Sequence, residues 1–162
     1  MSESSIIQRH AVRAILLTRA REVLLLRIRS SDCQEPFWIA PGGGLEPGET
    51  VAEGLRRGLR EELGLDAFSV GPLVWLRQHT FNWDGRRICQ REQYHIVDVD
   101  RFEPRMSDLT EARVLDQFRW WRARDLADAR ERLTPLTLAT IVANYLRDGA
   151  PQAPLAWEVL VD

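Results

Sequence analysis

A mixed α/β (α+β) domain, one sheet with helices on both faces, is the fold class that these 162 residues predict. Three observations predict it. Apolar, β-branched or leucine-rich runs come in pairs joined by turn-forming residues, as in hairpins. Leucines recur every four residues from Val51 to Leu63, which marks an amphipathic helix. A second helical pattern, Leu136, Ile141, Val142, Tyr145 and Leu146, lies near the end of the chain.

Residues 11–17 and 23–28 read as a β-hairpin around Thr18, Arg19, Ala20 and Arg21. Phe37, Trp38 and Ile39 form a short strand that delivers the chain to Gly42, Gly43 and Gly44, read as a glycine-rich loop at the end of the sheet. Trp38 belongs to the core. Pro47-Gly48 is a turn, Thr50 an N-cap with Glu53 completing a capping box, and Gly64 the left-handed residue that stops the helix. Val51, Leu55, Leu59 and Leu63 then face the core, while Arg57, Gly58, Glu61 and Glu62 share the opposite side.

Residues 70–81 and 88–99 are long strands joined by Asp84-Gly85, a strong hairpin signal. That turn sets Trp75 opposite Tyr94, Arg77 opposite Glu92 and His79 opposite Gln90. His79 and His95 have no partners at metal-ligand spacing and read as ordinary polar strand residues. Residues 101–115, with Pro104, Asp108 and Glu111, form a polar surface loop of the kind that carries function. Residues 117–121 are a strand and residues 123–126 a short helix; Trp120 and Trp121 are structural. Thr134 caps a last helix with Pro135 at its first position and Gly149 at its end. The tail, with Trp157, Val159 and Leu160, docks on the domain or on a second copy.

Length and the absence of repeats fit a single domain over residues 1–162. A net charge of −2 makes no electrostatic case for a nucleic-acid polymer or a membrane. Cys33 and Cys89 are too few for a disulfide framework and read as free thiols, and the start lacks a signal-peptide pattern, so the expected location is cytoplasmic. All 22 basic residues are arginine. That excludes a lysine nucleophile, a Schiff base and a P-loop lysine, and arginine suits bidentate phosphate contacts.

The chemistry concentrates at Glu61 and Glu62. Adjacent carboxylates beside a glycine segment rich in carbonyls suit a hard, oxygen-seeking cation, Mg2+ or Mn2+, which completes its shell with water and phosphates. The alternative is a solvated acidic face paired with Arg57 and Arg60.

Gly43, Glu49, Arg57, Leu59, Glu61, Glu62, Gly64 and Leu65, in that spacing and preceded by Trp38 to Gly43, resemble the Nudix box of the Nudix hydrolases. The resemblance implies the Nudix α/β/α sandwich with a mixed sheet. It also implies Mg2+-dependent (or Mn2+-dependent) cleavage of the pyrophosphate bond of a nucleoside diphosphate linked to another moiety. In it Glu61, Glu62 and the Gly43 carbonyl hold metal, Gly42, Gly43 and Gly44 border the substrate, and Arg57 pairs with Glu49. One position departs, since Gly58 stands where the family has a glutamate that acts as base or metal ligand. Glu92 and Glu111 are the candidate replacements, with Asp116 a further acid; Glu92 is equally read as the ion-pair partner of Arg77. The rival reading is a nucleotide-binding module that lost turnover with the acid at position 58. The expected partner is a small molecule and the expected state a monomer or homodimer.

Overall fold

Strand β1 (Ile7–Leu17) turns back through residues 18–21 into β2 (Glu22–Ile28), with Leu17 opposite Val23. The computed structural model describes residues 5–29, 35–105, 115–152 and 155–162, and for Leu115 and Asp116 the backbone alone. Cys33 and Glu111 lie outside the described residues. Then follow β3 (Phe37–Ile39), β4 (Gly42–Gly44), α1 (Val51–Leu63), β5 (Leu73–Trp83), β6 (Arg86–Asp98) and β7 (Leu115–Arg122). A 3-10 helix (Ala123–Asp128), β8 (Arg132–Thr134), α2 (Leu138–Asp148) and β9 (Trp157–Val161) complete the order.

The strands form one mixed sheet in the order β8-β3-β2-β1-β6-β5-β9, with β4 added to β1 and β7 to β2. The pairs β1–β6, β3–β8 and β5–β9 are parallel and the others antiparallel. Alternation along β1 divides the core. Ile15 and Leu17 join Val23, Leu25, Tyr94 and Ile96 under Ile141 and Val142 of α2. Val12, Ala14 and Leu16 join Leu24 and Leu26 under Leu55, Leu59 and Leu63 of α1. One helix on each face is what a period-two strand buried on both sides requires.

The β5–β6 hairpin has the register that Asp84-Gly85 dictates, with Trp75 opposite Tyr94, Arg77 opposite Glu92 and His79 opposite Gln90. Asp84 and Gly85 both have positive φ, 51° and 73°, as a primed hairpin turn demands. Trp38 and Trp121 are buried and meet edge to face at 5.2 Å. Trp120 is half-buried and donates its indole N–H to the carbonyl of Phe102.

Two expectations change, and one choice between alternatives is made. Gly42, Gly43 and Gly44 are not a loop but strand β4, paired with Arg13, Val12 and Ala11 of β1. The last helix starts at Leu138 rather than directly after Thr134, because residues 132–134 pair with β3 before the chain can coil. The tail contributes strand β9, with Leu76 opposite Trp157, so it docks on its own domain. Among the described residues no helix is long and apolar enough to cross a membrane.

Candidate active site

Helix α1 is built as its sequence dictates. The Thr50 hydroxyl accepts from the Glu53 amide, Glu53 accepts from the Thr50 amide, and Gly64 closes the helix at φ 71°. With Leu55, Leu59 and Leu63 turned into the core, Gly54, Gly58 and Glu62 form a second buried row, one turn apart.

That row lies along β4. Gly42 has φ 150°, and a Cβ there would sit 2.1 Å from the carbonyl oxygen of Val12, so only glycine lets β4 pair this closely with β1. A Cβ on Gly58 would lie 3.5 Å from the carbonyl carbon of Gly42 and 3.6 Å from the amide of Gly43. The room beside Gly58 therefore ends at another backbone. At Gly54 a Cβ would come within 2.2 Å of Leu45 Cδ2. Because the Gly58 contact is an ordinary van der Waals distance, Gly58→Ala should raise stability by about 1 kcal/mol through helix propensity. Gly54→Ala must displace Leu45 and should gain less. Urea unfolding of the two variants checks this, and a loss of stability in Gly58→Ala would contradict the packing.

Glu62 is 7% exposed, and its Oε1 accepts from the Gly42 amide at 3.3 Å. Glu61, one position earlier, points elsewhere: its side chain is half exposed and lies 3.6 Å from Arg57 Nη1. Arg57 grips both oxygens of Glu49 at 2.8 Å and donates to the carbonyl of Gly44, also at 2.8 Å. The residue pair suggested by the Nudix spacing thus ties helix to loop. Hydrogen bonds from Arg57, and then from the Glu46 amide, hold the Glu49 carboxyl down at about 2.

These groups share one open cavity of about 880 Å³. It is lined by Gly42, Gly43, Gly44, Glu49, Arg57 and Glu62, and also by Arg9, His10 and Arg13 of β1 and Gln90 of β6. Glu61 is not among its lining residues. Sequence reading missed the β1 wall. Its only signal is the alternation of Arg9, Ala11 and Arg13 at the polar end of a strand that is otherwise apolar.

Glu92 resolves as an ion-pair residue. It is 2% exposed; its Oε2 accepts from Arg13 Nε and its Oε1 from Arg77 Nη1 at 2.8 Å. Burial alone would raise this carboxyl, but Arg13 and then Arg77 hold it below the usual carboxylate value. With both oxygens committed it is poorly suited to act as a base.

Among the described residues no three His, Cys, Asp or Glu side chains converge as a metal cluster. The donors present nonetheless fit a magnesium-like ion, which needs one or two carboxylates and completes its shell with water and phosphate. Glu62 supplies a buried carboxylate beside β4. The bonds from the Leu45 amide to His10 and from the Ala14 amide to Pro41 make Val12 and Gly43 a hydrogen-bonded pair, so the Gly43 carbonyl retains one lone pair.

The NUDIX domain family model matches residues 8–140. The human 8-oxo-dGDP phosphatase NUDT18 is 41% identical over 56 residues, 35% of this chain but 17% of that protein. The RNA pyrophosphohydrolase of Pseudomonas savastanoi pv. phaseolicola is 32% identical over 117 residues, 65% of this chain and 71% of the relative. The solution structure of the E. coli ORF135 protein superposes with a TM-score of 0.59 and 25% identity, covering 94% of this chain and all of that one.

Proposed function

The chain belongs to the NUDIX domain family, and from that premise we propose that it is a metal-dependent hydrolase of a nucleoside diphosphate linked to another moiety, cleaving the pyrophosphate bond. The observation that carries the reading is the single cavity onto which Glu62, the glycines of β4 and the Arg57–Glu49 pair open together. The relative named as an RNA pyrophosphohydrolase supports this reaction class. The net charge of −2 favours a small molecule over a nucleic-acid polymer. The free thiol of Cys89 goes with a cytoplasmic location.

Glu62 and the Gly43 carbonyl would hold Mg2+ or Mn2+, with Glu61 on the neighbouring face of the helix. When bound, such an ion neutralises phosphate charge and lowers the pKa of coordinated water. The rest falls to the chain. The β4 glycines present no side chains on the cavity wall, so a diphosphate can approach the backbone closely. The Gly42 amide orients Glu62. Arg57 fixes the glycine strand through Gly44 and the following loop through Glu49, so the wall is set before substrate arrives. Glu111, outside the described residues, is the carboxylate we assign as base, since Glu92 is held by two arginines.

A screen for magnesium-dependent hydrolysis over nucleoside diphosphate derivatives, with a 5′-triphosphate RNA oligonucleotide included, tests the proposal. Turnover of at least one small diphosphate is expected. If wild type and Gly58→Glu are both inert towards every compound while wild type still binds nucleotide, the chain is a binding module instead.

A further inference from the structure

Arg13 stands opposite Gly42 in the β1–β4 pair and lines the cavity. Its guanidinium is fixed at two points. Nε donates to Glu92, and Nη1 donates to the carbonyl of Ala40 at 3.0 Å. Glu92 is itself held by Arg77, whose Nε lies 3.4 Å from Glu158, and Glu158 accepts from the indole of Trp75 at 2.8 Å. A line of alternating charges therefore runs from β9 through β5 and β6 to β1, and Arg13 is the member that reaches the cavity. Arg13 Nη2 has no protein partner among the described residues.

The line balances two carboxylates, Glu158 and Glu92, with two arginines, Arg77 and Arg13, and Arg13 is the arginine that also lines the cavity. An arginine immobilised through two of its nitrogens loses little entropy when the third binds, and planar guanidinium donors match phosphate oxygens. We propose that Arg13 is a substrate-contacting residue, with Nη2 donating to an anionic oxygen of the diphosphate from the β1 wall of the cavity that Glu62 also lines. The proposal rests on the reading that this cavity takes a diphosphate. Arg13 lies outside the Nudix box and is not one of the residues the box identifies.

Arg13→Gln and Arg77→Gln form a matched pair, because each leaves Glu92 with one arginine and only the first removes a donor from the cavity. Calorimetric titration with methylenediphosphonate, which cannot be hydrolysed at its bridge, reads the effect in the presence and absence of magnesium. Arg13→Gln should weaken binding by about ten- to hundredfold, the range for a hydrogen bond to a charged group. Arg77→Gln should change it less than about threefold. Arg13→Lys keeps the ion pair with Glu92 but loses the planar fork, so it should also bind more weakly while unfolding at the wild-type midpoint; it carries the test if Arg13→Gln does not fold. Equal losses in the Arg13 and Arg77 variants, or none in Arg13→Lys, would overturn the proposal. Turnover separates this from the wider reading. A wild type that hydrolyses a diphosphate with an unaltered KM in Arg13→Lys keeps the hydrolase and removes Arg13, whereas Arg13-dependent binding by a protein inert to every diphosphate keeps Arg13 and removes the hydrolase.

Discussion

Glu62→Gln should lower kcat on any diphosphate substrate by about 10²- to 10³-fold, the share of several kcal/mol expected from losing the carboxylate we propose as the metal's ligand. The amide oxygen of glutamine can still accept from the Gly42 N–H, so the variant can keep that hydrogen bond while losing the charge. Magnesium affinity should fall with kcat. Glu61→Gln should cost less, since that side chain is half exposed, lies beside Arg57 and does not line the cavity. Glu111→Gln, at the proposed base, should give a different signature: a base contributes about 10²- to 10⁴-fold to rate without holding metal, so kcat should drop at unchanged magnesium affinity. Calorimetry of magnesium binding beside steady-state kinetics separates the three variants, and a Glu62→Gln protein that binds magnesium and turns over like wild type would remove Glu62 from the site.

What the sequence makes legible is what its local chemistry specifies. The Thr50–Glu53 box, the stripe from Leu55 to Leu63 and the Asp84-Gly85 turn each act within about a dozen residues, and each appears where the pattern puts it. One turn even places Glu92 against Arg77 across a strand pair. The partners that decide the site are remote. Arg13 and Glu92 are 79 positions apart and meet because β1 and β6 run parallel, a pairing without a local signature. For the same reason Gly42, Gly43 and Gly44 read as a loop until β1 supplies the strand they pair with. Gly58 looked like a missing acid and is also a packing residue, and nothing in α1 alone reveals that the β4 backbone passes beside it.

Glu92→Gln should destabilise the fold by about 3 to 5 kcal/mol, the cost of removing one partner from a buried ion pair. The carboxylate is 2% exposed and stands between Arg13 and Arg77, so its loss leaves two guanidinium groups facing a neutral amide in a poorly hydrated interior. The same geometry fixes the sign of the pH response. A carboxyl whose folded pKa is depressed adds stability above its unfolded value, near 4.3, and that stability is lost as pH falls through the folded value. Wild type should thus lose this contribution below about pH 4, and Glu92→Gln, which never had it, should show a shallower acid dependence. Chemical denaturation at neutral pH and at pH 3 measures both effects. Replacing Arg13, Glu92 and Arg77 together by methionine should recover much of the loss, because the buried carboxylate and both its arginines go together, while Glu158, 19% exposed, keeps the Trp75 indole as a donor. A Glu92→Gln protein of wild-type stability whose turnover falls by 10²-fold or more would instead make Glu92 the base, with the two arginines serving to poise it.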